Sequence, residues 1–452
     1  MIDELRSTLA GPVLTRGDEG FTEEVAAQNT IAVHTPEVAV GATSEDDVAA
    51  AVRVAAKNAV PVRVLATGHG TTPSTAVTDG VLITTSRLND LTIDAENRLA
   101  HIGAGCAWAE VVAAAAEHGL HPITGAAAGV RAIGYTLGGG LGPLARTYGF
   151  SSDWARGFRI VTADGTVISA NAAENPDLFW ALRGGKGGFG VVTSMDFELV
   201  PLTTLYGGSM FFDAEHIAPV LTAWADWTET APESVSTSVA ILRLPPLDFI
   251  PEPLRGKTLL NLRYAFVGDP AEGERLLQPI RDLAPTLIDA VGEMPAADIA
   301  QIHNDPTDPG PGWLRCVMLD RIDDGFTKAL LDAVGPDQQL PIVVVELRHL
   351  GGATHRDVPE GSAVGGRAAP FTLSFVGVPD PSLFVDVLPP LIDGLLAQLA
   401  PWVSAQNTIN FAGGLELPGS YEASWPKDTF ARLAEVRATY DPDTVFPYGP
   451  PA

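Results

Sequence analysis

Positive charge and cysteine are both scarce in this sequence. Lys and Arg together number 28 against 55 Asp and Glu, a formal net charge of −27 over 452 residues. A chain this acidic repels a phosphate backbone, so nucleic acid is excluded as an expected partner. The two cysteines, Cys106 and Cys316, are too few for a disulfide framework or a cysteine-rich metal site. No uninterrupted apolar run reaches membrane-spanning length, and the opening Met1-Ile2-Asp3-Glu4-Leu5-Arg6 lacks the basic-then-apolar order of a secretory signal. These absences predict a cytoplasmic protein without a metal site or a membrane contact. Disorder is excluded by composition: hydrophobic residues make up 46% and charged ones 18%, enough for a large core. At roughly 150 residues per domain, the length predicts two or three domains.

Glycine, by contrast, is plentiful. Before residue 195 it concentrates in three places, Gly68 to Gly70, Gly125 to Gly142 and Gly184 to Gly190, which marks backbone that bends sharply or approaches a ligand closely. Gly103-Ala104-Gly105 begins like a dinucleotide fingerprint, but Trp108 stands where the third glycine belongs, and no Gly-Lys-Ser/Thr sequence provides a Walker loop. What the clusters offer is a series of main-chain N–H groups for a polyanion such as a pyrophosphate. Thr67, Thr71 and Thr72 add hydroxyls. Since the net charge disfavours long-range capture of a diphosphate, such a ligand needs short-range hydrogen bonds and preferably a covalent link.

Periodicity predicts a strand at Val38 to Val40, a helix capped by Thr43-Ser44 and ended by Asn58, and a strand at Val62 to Leu65 leading into Ala66-Thr67-Gly68-His69-Gly70. Strands follow at Val81 to Ile83 and Ala100 to Ile102, with a helix built on Trp108, Val111, Val112 and Ala115. Thr124 to Gly142 is too rich in Gly and Ala for a regular core helix. Asp164-Gly165 joins a hairpin, a short helix follows Asn175-Pro176, and Val191 to Leu199 alternates as a strand. Beyond Pro201 the pattern changes to long one-sided strands, such as Leu260 to Phe266 and Phe371 to Phe375, separated by amphipathic helices at Glu272 to Leu283, Phe326 to Val334 and Phe384 to Leu399. That predicts an antiparallel sheet covered by helices on one face. A last helix is expected over Phe430 to Thr439.

Read in order, Ala66-Thr67-Gly68-His69-Gly70, Gly103-Ala104-Gly105 with Trp108, Gly138-Gly139-Gly140-Leu141-Gly142, Tyr148-Gly149 with Asp153, Asp177 to Gly185 and Gly188-Phe189-Gly190-Val191-Val192-Thr193 resemble the FAD-binding domain of the vanillyl-alcohol oxidase and p-cresol methylhydroxylase superfamily. The segment Arg432 to Arg437 with Tyr440-Asp441-Pro442 and Phe446 is similar to berberine-bridge-type and hydroxynicotine oxidases. The resemblance is strong over about 36 to 201 and 430 to 446, and one of pattern alone between them. It implies an α+β chain with an FAD-binding domain of the p-cresol methylhydroxylase type at 1–202, a substrate domain at 203–410 that is an antiparallel sheet covered by helices on one face, and a segment, 411–452, returning to the FAD domain.

The resemblance also implies site residues. His69 carries FAD through the flavin's 8α carbon, although on its own a His between glycines reads as a loop residue or weak metal ligand. Ala127 falls where doubly linked relatives have a Cys, so a single bond is expected, which raises the flavin's reduction potential. Val130 matches the place where oxidases leave oxygen access, and its plain alternative is packing. Gly125, Gly134, Gly138, Gly139, Gly140, Gly142 and Asp153 complete the cradle, with Gly190, Val191 and Val192 offering main-chain bonds to the adenine. Tyr135 aligns beside the flavin's ribityl chain, or else is a core aromatic. Ser374 and Trp154 depart from the pattern, since relatives place a Glu base and an Asn there. In Val343 to His349, alternation sets Glu346 and Arg348 on one face and Leu347 and His349 on the other, and either face is open to the pocket. His349 is a candidate base, Asn410 a candidate for orienting substrate or a structural amide, and Arg263 and Tyr264 are further candidates. The activity implied is removal of hydride from a carbon bearing oxygen or nitrogen in a small metabolite, with dioxygen as acceptor, by a monomer or homodimer. A dehydrogenase with another acceptor, a flavin-dependent cyclase and a non-catalytic flavin protein share every motif.

Overall fold

The computed structural model describes residues 1–413, 417 and 419–448. The expected C-terminal segment therefore includes residues, 414–416, 418 and 449–452, that lie outside the described ones.

Two sheets form the first layer system. Val13–Leu14, Val38–Gly41, Val81–Thr84 and Val62–Leu65 make a four-stranded sheet, parallel apart from its first strand. Its strands Val38–Gly41 and Val81–Thr84 are buried throughout, and the Glu45–Lys57 helix crosses from Val38–Gly41 to Val62–Leu65, which flank Val81–Thr84 on either side. That helix begins where the Ser44 hydroxyl accepts from the Asp47 N–H, and Glu45, Asp46 and Asp47 sit in its electropositive first turn. A second, antiparallel sheet runs Leu91–Asp94, Leu99–Gly103, Val191–Glu198, Ala155–Val161 and Val167–Asn171. One apolar core links both sheets to the Trp108–Ala116 and Lys427–Tyr440 helices, and it takes in Leu433, Val436 and Phe446 from far along the chain.

From Thr204 to Gly377 a single eight-stranded antiparallel sheet is built. Met210, Val239, Leu262, Leu347 and Leu373 share one face in register and pack with Trp224, Leu277, Phe326 and Leu395 from four covering helices, each burial contributing roughly 1.5–3 kcal/mol. The opposite face is polar at one end, yet it too is buried there: Ser238, Asn261, Arg263, Glu346 and Ser374 are all at most 9% exposed, while its other end is apolar, Ala240, Leu242 and Leu259 packing with Ile250 and Leu254. What covers the polar end is the first layer system. Arg146, 5% exposed on the Ala145–Tyr148 turn of helix, bolts the two together by donating to Val235 O at 2.7 Å, to Ala231 O at 3.0 Å and to Leu350 O.

The predicted elements occur within a few residues of their expected bounds, with two corrections. The Phe384 to Leu399 helix begins only at Leu388, because Pro389 and Pro390 have no N–H to donate and fit only in a first turn. The stretch 124–142, expected to hold no regular core helix, contains a short one, Ala132–Thr136, which carries Tyr135. The Ile217–Thr228 helix had no counterpart in the sequence reading.

Candidate active site

The loop after the Val62–Leu65 strand is pinned by its own hydroxyls. Thr71 Oγ1 donates to Gly68 O at 2.6 Å, and the Thr71 and Thr72 amides are taken by Gly68 O and by Thr75 Oγ1. These two threonines thus shape the loop, while no intramolecular acceptor is found among the described residues for the amides of Gly68, His69 and Gly70. His69 Nδ1 lies 2.8 Å from Thr67 Oγ1. Although the residue is exposed, partial desolvation by its loop and the nearby Arg131 guanidinium push its imidazole below the ordinary histidine range, so at neutral pH it is uncharged and keeps an unshared electron pair.

The glycines sort by what a side chain would meet. At Gly70 and Gly134 a Cβ would meet nothing within 4 Å, so these residues face open space. At Gly125 and Gly140 it would strike the Tyr135 ring, at Gly138 the Asn410 amide, at Gly142 Thr124 O, and at Gly190 Val161 O. Gly139 and Gly140 also hold φ of +96° and +83°, a region that L side chains avoid. Gly125 and Gly140 thus close on Tyr135, Gly138 on Asn410, and Gly142 and Gly190 on main-chain oxygens. Ala127 and Val130 close a turn, with the Val130 N–H on Ala127 O at 3.3 Å and Val130 O accepting from the Trp108 N–H at 3.0 Å. Val191 and Val192 pair with Val161 and Ile160 on one edge, and pairing on the other edge begins only at Ser194.

Tyr135 is half-buried against Trp108 at 6.0 Å, edge to face. Its hydroxyl has no hydrogen-bond partner, nor do the buried hydroxyls of Ser151 and Ser152, and burial pushes the phenol up. Asn410 holds this turn from outside: its amide donates to Tyr135 O at 2.7 Å and its Oδ1 accepts from Lys186 at 2.7 Å. Lys186, in the 184–190 glycine cluster, also donates to Gly134 O at 2.9 Å. No carboxylate pairs with it among the described residues, and burial lowers its ammonium to about 8. Asp153 caps the turn at Phe150 N, 2.9 Å away, and pairs with Arg367 from the sheet-bearing half. Trp154, where relatives were expected to have Asn, donates to Tyr148 O at 2.8 Å.

The polar face of the large sheet meets this turn, which decides between the two faces of Val343 to His349. Glu346 and Arg348 point to the first layer system. Arg348 donates to Leu141 O at 3.3 Å, stands 5.8 Å over the Phe411 ring and bonds Glu346 Oε2 at 3.2 Å. Arg263 reaches Glu346 Oε1 at 2.8 Å, as does the Ser238 hydroxyl. Burial alone would raise the Glu346 carboxyl, but the Arg348 and Arg263 guanidiniums hold it far below the carboxylate range. Ser374, aligned with the expected base, is the register partner of Glu346, so the acid stands one strand away from the position expected of it. His303, at the end of a short 3-10 helix, completes the cluster, with Nε2 3.4 Å from Arg348. Tyr264 lies on the other face, its hydroxyl on Gly273 O.

His349 faces the helices, stacked at 5.0 Å on Phe371. Arg146, which can only donate, stands 2.9 Å from His349 Nε2, so that nitrogen is an acceptor and the ring is neutral. Burial and Arg146 push it down to about 3. Between pH 6.5 and 3 the unfolded chain therefore binds a proton at this residue that the folded one does not, and stability rises with pH through that window. His349→Gln, which keeps an acceptor for Arg146, is expected to make the slope of unfolding free energy against pH shallower by about 1.4 kcal/mol per unit there. Urea titrations from pH 4 to 7 check this, and an unchanged slope contradicts it.

His303, Lys186, Arg131, Arg146 and Arg367 were missed by sequence reasoning. Lys186 alone had a local signal, a single cation set among glycines.

Residues 36–171 match the FAD binding domain family. Over 98% of its length the chain is 26% identical to the FAD-linked oxidoreductase YgaK of Bacillus subtilis (strain 168), covering 96% of that protein. Its fold matches 6-hydroxy-D-nicotine oxidase from Arthrobacter nicotinovorans with a TM-score of 0.84 at 24% identity, over 98% of each chain. It likewise matches berberine bridge enzyme from Eschscholzia californica with a TM-score of 0.83 at 17% identity, over 100% of this chain and 99% of that one. Residues 36–171 are thus an FAD binding domain, and over its full length the chain is similar to an FAD-linked oxidoreductase and shares the fold of these two enzymes.

Proposed function

We propose that the protein is an oxidase that removes hydride from a carbon bearing oxygen or nitrogen in a small organic metabolite. The observation that carries this reading is the apposition of a buried polar sheet face, with Glu346 and Arg348, to the Tyr135 turn of the FAD-binding half. The residues present fit FAD: open space at Gly70 and Gly134, unpaired hydroxyls on Tyr135, Ser151 and Ser152, and amides without acceptors around His69. Bound there, FAD supplies the two-electron acceptor, and the electrons and two protons passed on to dioxygen make hydrogen peroxide. His69, neutral and held by Thr67, is the residue that bonds the flavin. Gly68, Gly70, Thr71, Thr72, Gly125, Ala127, Val130, Gly134, Gly138, Gly139, Gly140, Gly142, Asp153, Gly190, Val191 and Val192 shape the rest of the cofactor site.

Tyr135, Arg348 and Glu346 line the substrate side. Glu346, tied to two guanidiniums, acts as their counter-ion. Asn410 and His349 stand behind this layer and act as positioning residues, Asn410 through the main chain of Tyr135 and His349 through Arg146. Two free buried cysteines suit a reducing cytoplasm, and no helix among the described residues is long and apolar enough to cross a membrane.

Anaerobic mixing of the yellow holoprotein with a panel of alcohols, amines and phenols tests the reading. At least one compound is expected to bleach the flavin, and air is expected to restore the colour well within a second with release of peroxide. Restoration over minutes points instead to a dehydrogenase, and a panel without any bleaching removes the catalytic reading.

A further inference from the structure

The unpaired polar atoms on the sheet's polar face are of one kind. Arg263, 8% exposed, has a buried Nε with no partner. His303 is neutral, and because Arg348 donates to its Nε2, its proton sits on Nδ1, which is also buried without a partner. Both atoms are donors. The charges are unbalanced in the same sense. Arg263 and Arg348 share one carboxylate, Glu346, and Asp305, the other acid near them, makes no ion pair with either. Arg263, His303 and Arg348 border a cavity of about 20 Å³ at the boundary of the two halves, room for an oxygen-sized group. Unmatched buried donors, beside two guanidiniums of which only one carboxylate is a direct partner, are costly unless an acceptor arrives.

We infer that the substrate carries a carboxylate, seated on Arg263, Arg348 and His303. This rests on the oxidase reading above and extends it to a substrate class. A guanidinium presents paired N–H groups to a carboxylate, and such charge-assisted bonds are about twice as strong as neutral ones. The substrate is then an organic acid whose oxidisable carbon lies beyond the carboxylate, toward Tyr135.

The test uses the holoprotein and four small probes, benzoate, its neutral counterpart benzamide, acetate and benzylamine, read by calorimetry and by perturbation of the flavin spectrum. Benzoate is expected to bind saturably and at least about tenfold more tightly than benzamide, acetate or benzylamine. Arg263→Gln should lower benzoate affinity about tenfold and leave benzamide unchanged. Glu346→Gln, which removes the competing carboxylate, should tighten benzoate, and benzoate should raise the melting temperature of this variant more than that of the parent. A purely structural ion network predicts none of these signs. Equal binding of benzoate and benzamide, no binding of benzoate, or acetate as tight as benzoate, which marks a bare anion site, each overturns the inference. The parent protein decides it even if a variant does not fold. A holoprotein bleached by an alcohol or amine but indifferent to the charge of benzoate refutes this inference alone, whereas failure of every compound to bleach refutes the oxidase reading.

Discussion

His69→Ala is expected to yield a polypeptide of bare amino-acid mass, where the parent weighs one FAD more after unfolding. The reason is local. The exit loop of the Val62–Leu65 strand presents one imidazole, uncharged through partial desolvation and Arg131, and oriented by Thr67. Among the described residues the turn 124–130 brings no cysteine to provide a second attachment, since Ala127 stands there. The variant should still bind FAD reversibly, because the glycines and the unpaired hydroxyls around Tyr135 are untouched. Its flavin should lose about 1–2 kcal/mol of driving force, slowing the reductive step on the order of tenfold. Mass spectrometry of the unfolded chains and anaerobic rapid mixing measure both effects. A parent chain of bare mass, expressed with ample riboflavin, removes the covalent assignment.

The second large effect is on stability. Glu346→Ala leaves Arg263 and Arg348 facing each other with side chains only 9% and 14% exposed. Removing one partner from a buried ion cluster is expected to cost about 3–5 kcal/mol. Urea unfolding at pH 7 reads this directly, and a change below 1 kcal/mol contradicts the buried network. The same carboxylate fixes an acid limb. Its folded-state titration lies below its unfolded one, so its contribution is complete above the ordinary carboxylate range and fades as pH falls toward the folded value. The limb belongs to lower pH than the one from His349, so the two variants should alter different parts of the stability profile.

Much of this site was legible in the sequence, for identifiable reasons. His69 and the glycines around Tyr135 lie in local motifs whose spacing is fixed by backbone geometry. The alternation from Val343 to His349 separated Glu346 from His349 but left open which face turned inward. That is a tertiary fact: Leu347 joins Met210, Val239 and Leu262 under the helices, and none of these is near it in sequence. His303 and Arg263 are brought to Glu346 from separate elements, and no periodic signal announces such convergence. The Ser374 departure likewise made sense only once strand register set Glu346 beside it. Asn410 was a matter of two open readings, and its bonds to Lys186 and Tyr135 O show an amide that braces the turn.

The late segment that packs into the early half has a consequence for biosynthesis. Val445 O accepts from Val62 N at 2.7 Å, on the strand that leads to the His69 loop. Trp425 and Arg437 clamp the main chain of Gly184, Gly185 and Gly187. While a ribosome is still translating the sheet, the early half thus lacks one wall. The packing behind the His69 loop is complete only when residues 421–446 have emerged, so that loop takes its final setting in the finished chain and not in the nascent one.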